Sequence, residues 1–415
     1  MHKKILLALS LLLGLTAFSV PAEARTDFKR VAYFIQWGVY GRDYHVRDVD
    51  VSGAAAKLTH LNYAFGFVGA DATCYSSDPW ADWQRPVPAE QSVDGVADAP
   101  GQALNGNLNQ LRKLKARHPE LKVMISLGGW TGSAQFSDAV LTPESRSKLA
   151  ASCIDLWLRG NLPGLEPGAG AGVFDGIDLD WEWPGSSGAE GNVIRPEDKR
   201  NFTLFVEELR DQLRRFSKKA ELTAFLPAAA AKIDAGYEVR RVFKQLDFAT
   251  IQGYDLHGTW EPQTGHQSNL FTDRRDPNPV KYSVDQTVRD YLARGAPARK
   301  IVVGVPAYGQ GWTGVTGSPD GLYQPATGPA PGKWAPGTED YKDLVAKPGK
   351  RHRDLRTGAM WLYDGNEFWS YDDPAIMLQK AAYIRLKGLG GSMLWSIDQD
   401  DANASLTSAL YTVLR

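Results

Sequence analysis

Strand-like and helix-like segments alternate along this chain, and the number of repeats restricts its fold more than any other feature. Eight short runs rich in β-branched and aromatic residues are strand candidates, at residues 31–37, 58–66, 122–128, 174–182, 222–227, 248–254, 301–306 and 391–397. The clearest amphipathic helices between them cover residues 200–218, 283–294 and 375–387. This alternation predicts an α/β protein, a closed (β/α)8 TIM barrel. The competing open doubly wound sheet normally carries a Gly-rich phosphate loop after an early strand, and the sequence has none.

Two stretches are longer than a barrel requires. Residues 69–105 are rich in Pro, Asp, Ser and Gly, which predicts a long loop after the second strand. The gap between the seventh and eighth strands is larger and contains a strand-like segment at residues 358–363. We therefore predict a catalytic barrel over residues 25–415 with a small α+β insertion at residues 313–373. No repeat or linker indicates a separate binding module.

The amino-terminal residues have the pattern of a secretory signal peptide. Lys3 and Lys4 precede an apolar run at residues 5–20, and Ala-Glu-Ala at residues 22–24 gives a small-x-small cleavage pattern. We predict a signal peptide over residues 1–24 and an extracellular mature chain. An uncleaved anchor is the alternative, although the apolar run is short for a membrane span.

Composition excludes some partners and leaves other questions open. The formal net charge is −1, from 47 basic and 48 acidic side chains without a long single-sign run, so neither nucleic acid nor an anionic membrane is expected to bind. The 13 Trp and 16 Tyr either fill a large core or line a groove for flat apolar faces such as sugar rings. Export permits a disulfide between Cys74 and Cys153, but two buried thiols are equally consistent with the sequence. No assembly element is visible, and we expect a monomer.

The fourth strand candidate carries acidic residues at alternate positions, Asp178, Asp180 and Glu182. Alternate side chains of a strand share a face, so these acids project into the barrel, and the other set faces the helices: Ile177, Leu179, Trp181 and Trp183. Crowded carboxylates repel one another and lose hydration, so at least one is expected to be protonated near neutral pH. Pro184 marks an abrupt strand end, which is where the catalytic residues of barrels lie.

Such a strand is suited to hydrolysis of a glycosidic bond. A glutamic acid with a raised pKa can protonate the glycosidic oxygen. Most glycosidases oppose two carboxylates across that bond, whereas these acids lie along one strand, which favours a substrate that supplies its own nucleophile. The alternatives are an acidic edge strand and a divalent-metal site. Because no His lies in the run and no Glu-x-x-His pattern occurs, we predict neither a metal nor a cofactor.

These positions resemble the family 18 glycoside hydrolases, in particular the secreted bacterial chitinases. The family signature Asp-x-x-Asp-x-Asp-x-Glu is matched by Asp175, Asp178, Asp180 and Glu182. The family's third-strand Ser-x-Gly-Gly motif is matched at residues 126–129, and Trp130 follows it. The resemblance runs from about Phe28 to the carboxyl terminus. It implies hydrolysis of the β-1,4 linkages between the N-acetylglucosamine units of chitin and its oligomers.

The resemblance also implies a role for each acid. Glu182 would protonate the leaving oxygen and then activate water as a base. The substrate acetamido carbonyl would attack the anomeric carbon to give an oxazolinium ion, so the anomeric configuration would be retained. Asp180 would orient that acetamido group, and Asp178 would share a proton with Asp180. Asp175 lies off the alternating face, so we interpret it as structural.

Further site residues are implied by the same comparison. Tyr254 and Asp255 match the family's Tyr-Asp pair, of which the tyrosine would hydrogen-bond the acetamido oxygen and the aspartate would bind the sugar. Trp395 matches the tryptophan beneath the scissile sugar, and Tyr33 and Ser126 resemble hydroxyls that support the aspartate pair. Without the resemblance, barrel packing would be the preferred interpretation of Tyr254 and Trp395.

Two positions depart from the commoner family pattern, and they bear on subsites rather than on the reaction. Gln252, beside the acetamido pocket, replaces a frequent Met, and Gln310 replaces a frequent Arg. A set of tryptophans at or just after strand ends is predicted to line the groove: Trp37, Trp130, Trp260, Trp312 and Trp395.

Two other functions remain open within the same family. A chitin-binding lectin would usually lack the terminal glutamate, which is present as Glu182. An endo-acting β-N-acetylglucosaminidase on N-glycans would usually lack the insertion.

Overall fold

Alternating parallel strands and helices dominate the computed structural model, which describes residues 28–415. The predicted signal peptide lies outside the described residues. The strands are β1 (Lys29–Ile35), β2 (His60–Val68), β3 (Cys74–Tyr75), β4 (Lys122–Gly128), β5 (Gly176–Asp180), β6 (Glu221–Leu226), β7 (Phe248–Ile251), β8 (Ile301–Pro306), β9 (Tyr308–Thr313), β10 (Gly328–Pro329), β11 (Thr338–Asp340), β12 (Lys350–Asp354), β13 (Ala359–Tyr363), β14 (Phe368–Tyr371) and β15 (Gly391–Trp395). The α-helices are α1 (Val46–Val51), α2 (Gly106–Arg117), α3 (Phe136–Ala139), α4 (Pro143–Cys153), α5 (Asp198–Phe216), α6 (Ala230–Gly236), α7 (Val239–Gln245), α8 (Val284–Ala293), α9 (Tyr341–Leu344), α10 (Pro374–Leu386) and α11 (Ser405–Leu414).

Eight of the strands close into a parallel barrel, as the sequence predicted. Each pairs with its neighbour in the order β1, β2, β4, β5, β6, β7, β8 and β15, and β15 pairs back onto β1. The outward residues of these strands pack on helices. On α5 the apolar side chains recur every three or four positions and form one buried stripe: Phe202, Phe205, Val206, Leu209 and Leu213. Among residues 28–415, no helix combines the length and the apolar character needed to cross a membrane.

The segment between β8 and β15 forms a separate antiparallel sheet. Its strands follow the order β10, β9, β14, β13 and β12. Strand β11 also pairs with β9, on the same edge as β10, and α9 follows β11. This sheet begins at Tyr308, five residues before the predicted start of the insertion at 313, because β9 follows β8 after a single residue. Gln310 of β9 is paired with Ser370 of β14 and with Thr338 of β11.

The insertion has a small core of its own, and this core corrects one prediction. Trp312 is 0% exposed and packs there with Trp361 and Phe368. Its indole N–H donates to the carbonyl of Glu261 at 3.1 Å. The prediction that Trp312 lines the groove is therefore wrong, because its position in β9 points the ring into the insertion and not toward the barrel mouth.

Residues 69–105 form a long connection after β2, and a disulfide ties it to the barrel. Cys74 of β3 is bonded to Cys153 at the end of α4, with the Cα atoms 4.9 Å apart. The sequence was consistent with either a disulfide or two buried thiols, and the structure contains the disulfide.

Removing this disulfide is expected to destabilise the protein. The bond joins residues 79 positions apart, and a loop of this length corresponds to about 4.5 kcal/mol of chain entropy removed from the unfolded state. We expect the Cys74→Ser/Cys153→Ser variant to lose roughly 2–4 kcal/mol of unfolding free energy in urea titrations. Equal midpoints for this variant and the wild-type protein would contradict the expectation.

Candidate active site

Three acidic residues of β5 and its extension occupy the centre of the barrel mouth. Asp178 and Asp180 are buried within β5, and Glu182 lies two residues beyond the strand end and is half-buried. The carboxyl ends of all barrel strands meet at this face, so side chains from distant segments converge on the acids. Their order along the strand takes them from the barrel interior to its opening.

Asp178 accepts hydrogen bonds from three hydroxyl groups. The Tyr33 hydroxyl (2.6 Å) and the Ser126 hydroxyl (2.8 Å) donate to its Oδ2, and the Thr223 hydroxyl donates to its Oδ1 at 2.5 Å. Burial raises the pKa of Asp178, and these hydrogen bonds oppose the rise. Tyr33 and Ser126 were expected from the sequence, whereas Thr223 was missed. Thr223 lies directly opposite Asp178 in the β5–β6 register, which is known only once the strands are paired.

Asp180 is buried without a hydrogen-bond partner for one of its oxygens. Its Oδ1 contacts no donor among the described residues. Burial first, and then the negative charges of Glu182 and Asp178, raise the pKa of Asp180 well above its usual range. An unpaired buried carboxyl oxygen is costly, so this atom is suited to accept a hydrogen bond from a bound molecule.

The pKa of Glu182 favours a protonated carboxyl group at neutral pH. Burial raises its pKa to about 8, and the charge of Asp255 acts in the same direction. The ammonium of Lys232 on α6 opposes both effects. Lys232 also lies 5.4 Å from the ring centroid of Trp183. Lys232 was not predicted from the sequence, because a lysine in a short alanine-rich helix carries no motif.

Tyr254 and Asp255 follow β7 and face the acids. Asp255 has a left-handed backbone conformation with φ of +52°, and its Oδ1 accepts hydrogen bonds from the Tyr308 hydroxyl (2.6 Å) and the Gln310 amide (2.9 Å). Burial raises the pKa of Asp255, and these two donors oppose the rise. Tyr254 is buried, its ring lies 6.0 Å from that of Phe225, and burial raises its pKa well above 10. Since Tyr308 and Gln310 belong to β9, the insertion contributes directly to the site.

Aromatic rings extend from the acids along the mouth. Trp395, the last residue of β15, stacks on Phe65 at 5.8 Å, and Phe65 stacks on Trp37 at 6.1 Å. Three predicted groove tryptophans have large exposed fractions: Trp37 (42%), Trp130 (51%) and Trp260 (62%). Tyr40 and Trp80 are similarly exposed and were not predicted. Gln252 is half-buried, and its Oε1 accepts the main-chain N–H of Ala228 at 3.2 Å.

This constellation can be compared with known proteins. Residues 29–400 match the sequence profile of the Glycosyl hydrolases family 18.

The chain belongs to glycosyl hydrolase family 18.

Its relatives include Chitinase C of Streptomyces lividans, which is 38% identical over 378 residues that cover 90% of this chain and 58% of that protein. Chitinase 63 of Streptomyces plicatus is 36% identical over 390 residues, which cover 93% of this chain and 60% of that protein. The chain thus matches about three fifths of the length of these two curated relatives. Among solved structures, the catalytic domain of psychrophilic chitinase B from Arthrobacter TAD20 superimposes with a TM-score of 0.91 at 45% identity, covering 94% of this chain and 96% of that one.

The glycine pair of the third-strand family 18 motif has a steric cause here. A Cβ atom on Gly128 would lie 2.4 Å from the Asp180 carbonyl oxygen, and one on Gly129 would lie 2.6 Å from the Phe65 ring. Both glycines also have positive φ angles, which favour residues without a side chain. The pair therefore lets the end of β4 approach both the acidic strand and the aromatic row.

The first acid of the family 18 signature lies away from the mouth. Asp175 precedes β5, accepts the main-chain N–H of Val123 at 2.8 Å and pairs with Lys115 at 2.8 Å. These contacts tie the start of β5 to β4 and α2, which fits the structural interpretation of this residue.

One predicted orientation in the signature segment is wrong. Trp181 packs on the helix side, with its ring 5.3 Å from that of Phe136. Trp183, by contrast, lies with Phe225 at 5.6 Å in the cluster of the barrel interior. The strict alternation of faces does not extend to Trp183 because β5 ends at Asp180.

Proposed function

We propose that this protein is a chitinase that hydrolyses β-1,4 linkages between N-acetylglucosamine units, with Glu182 as general acid and base. The observation that carries the proposal is the position of the acids at the barrel mouth: a buried Asp180 has an Oδ1 that lacks a donor, and Glu182 follows it two residues beyond the strand end. Burial raises the pKa of Glu182 to about 8, which favours the protonated acid at neutral pH. The names of the relatives support this substrate. We also propose that the enzyme is exported, acts as a monomer and needs no cofactor.

In the first step, the proton of Glu182 passes to the glycosidic oxygen and the bond to the anomeric carbon breaks. The carbonyl oxygen of the substrate's own acetamido group attacks that carbon, which gives an oxazolinium ion and releases the leaving sugar. The Asp180 oxygen that lacks a donor would accept the acetamido N–H and stabilise the positive charge. The Tyr254 hydroxyl would donate to the acetamido oxygen.

In the second step, the Glu182 carboxylate removes a proton from water, which attacks the anomeric carbon from the side that the leaving sugar vacated. The oxazolinium ring opens, the acetamido group is restored and the anomeric configuration is retained. Asp178 and Asp180 share one proton during the cycle, since two buried neighbouring carboxylates do not both ionise readily. The three hydroxyl donors on Asp178 would stabilise its charge when the proton is on Asp180.

The aromatic rings of the mouth would bind the apolar faces of successive sugars. Trp395 would form the floor under the scissile sugar, and the exposed rings of Trp37, Trp130 and Trp260 would extend the groove on either side. Asp255 would contact the sugar from the β7 side. Gln310 belongs to the insertion and donates a hydrogen bond to Asp255. The insertion would therefore form one side of the groove and also position a residue that contacts the sugar.

Substrates without the acetamido group are expected to resist cleavage. Chitin oligomers should give products of retained anomeric configuration by time-resolved NMR, whereas fully deacetylated chitosan should show at least about a 10³-fold lower rate, because it lacks the nucleophile. The same spectra report which linkage is cut. Inverted products, or rapid cleavage of fully deacetylated chitosan, would rule out the substrate-assisted mechanism.

The charge of Lys232 is expected to lower the upper pH limit of activity. Glu182 must hold its proton to act as the acid, so kcat/KM should fall as pH rises through about 8. Removing the opposing ammonium in Lys232→Met raises the pKa of Glu182, so this limb should move to higher pH. Lys244→Met, an exposed lysine on α7, is the matched control. A limb that stays in place or moves to lower pH in Lys232→Met would contradict this account.

A further inference from the structure

The main chain of Glu182 lies beyond the hydrogen-bonded part of its strand. The β4–β5 pairing ends at Asp180, and the β5–β6 pairing ends one residue earlier, at Leu179. Neither ladder therefore holds the N–H or the C=O of Glu182. Main-chain groups in such a confined place need other partners. Side chains from two different loops supply them.

Ser133 holds the N–H of Glu182. This serine follows the Ser-x-Gly-Gly motif and is 1% exposed, and its Oγ accepts the Glu182 N–H at 2.9 Å. The same hydroxyl donates to the carbonyl of Gly129 at 2.8 Å, with the Asp180 carbonyl also within reach at 3.2 Å. One hydroxyl group thus links the end of β4 to the residue that follows β5.

Asn192 holds the other main-chain group. Its Nδ2 donates to the Glu182 carbonyl at 2.8 Å from the loop that connects β5 to α5. Gly188 of that loop lies against the same carbonyl, and a Cβ atom there would come within 2.0 Å of the oxygen. The loop therefore packs closely on the main chain of Glu182, and Asn192 provides the hydrogen bond.

We propose that Ser133 and Asn192 are positioning residues that hold the main chain of Glu182, and hence its carboxyl group, in place for proton transfer. The inference rests on the proposed role of Glu182. Both residues act on the acid only through its main chain, so neither is catalytic in itself. Displacement of a reacting group by about 1 Å can cost roughly two orders of magnitude in rate, which makes these hydrogen bonds matter for turnover.

Loss of either hydrogen bond has an effect on protonation as well as on rate. Burial is the largest cause of the high pKa of Glu182. A main chain that is free to shift lets the carboxyl group turn toward water, and hydration returns the pKa toward its ordinary value. The upper pH limb of kcat/KM then moves to lower pH, the opposite direction from that expected for Lys232→Met.

The experiment compares Ser133→Ala and Asn192→Ala with the wild-type protein on a soluble chitin oligomer. We expect kcat to fall about 10- to 100-fold with KM nearly unchanged, and the upper pH limb to move down. Ser283→Ala is the matched control, because Ser283 is equally buried and its hydroxyl accepts the N–H of Gln286 at 3.2 Å at the start of α8. This control should lose thermal stability but keep the wild-type kcat and pH limb.

Two results would overturn the inference. One is a wild-type kcat and pH limb in both Ser133→Ala and Asn192→Ala, and the other is an equal change in Ser283→Ala. Asn192 is half-buried in a loop, so its variant keeps the test decisive if the Ser133 variant does not fold. Glu182→Gln, measured in the same series, separates the two proposals. If that variant is inactive while both positioning variants behave as wild type, only the positioning inference fails.

Discussion

Replacement of Glu182 by glutamine is expected to lower kcat on chitin oligomers by about 10³-fold or more, while the oligomers still bind. Glutamine is close to glutamate in shape but has no proton to give to the glycosidic oxygen and cannot act as a base toward water. The aromatic rings and Asp180 remain in place, so the groove keeps its affinity. Turnover measurements and calorimetric titration of the same variant test both parts of the expectation.

A matched control is Glu207→Gln on α5. Glu207 is a half-buried carboxylate on the outside of the barrel, paired with Arg241 at 2.8 Å, and its replacement should leave turnover unchanged. Full activity of Glu182→Gln would disprove the assignment of the acid. The lectin interpretation is excluded if the wild-type protein hydrolyses the oligomers and Glu182→Gln binds them without hydrolysis.

The same substitution has a pH-dependent effect on stability. The pKa of Glu182 is about 8 in the folded protein, above that of an unfolded glutamate, so the folded state binds this proton more tightly. The resulting stabilisation is complete below the unfolded pKa and is lost as pH rises through about 8. Glu182→Gln is never ionised, so its melting temperature relative to wild type should be higher at pH 9 than at pH 6. This measurement also establishes that the variant folds.

Replacement of Asp180 by asparagine is expected to reduce kcat by about 10²-fold or more. The amide cannot carry the negative charge that stabilises the oxazolinium ion, and it cannot exchange a proton with Asp178. Its NH₂ group would also compete with the acetamido N–H for the same place. Steady-state kinetics on chitin oligomers, with binding measured separately, would show the loss in kcat more than in KM.

Asp175→Asn is the control for this prediction, because both positions belong to the same four-residue signature. Asp175 bonds to Lys115 and to the N–H of Val123 at the start of β5. Its replacement should lower stability and leave kcat close to that of the wild-type protein. A large loss of kcat in Asp175→Asn, or none in Asp180→Asn, would contradict the division of roles within the signature.

Much of the fold was readable from local patterns. Parallel barrel strands are buried on both faces and appear as short apolar runs, so the alternation of strand and helix led to the barrel. The inward face of Asp178 and Asp180 followed from the two-residue period of a strand. That period holds only while the strand lasts, which is why it misplaced Trp183. The antiparallel sheet begins at Tyr308, before the predicted start of the insertion at 313, since nothing local distinguishes β9 from the end of a barrel strand.

The sequence by itself determined the barrel, the acidic strand and the family signature, because each depends on residues close together in the chain. Only the tertiary structure decided which groups meet the acids: Thr223 at Asp178, Gln310 at Asp255, and Ser133 and Asn192 at Glu182. It also decided the Cys74–Cys153 bond and the burial of Trp312. These contacts join segments far apart in sequence, and they depend on strand register, on where each strand ends and on how the loops pack. Local periodicity contains no information about any of these.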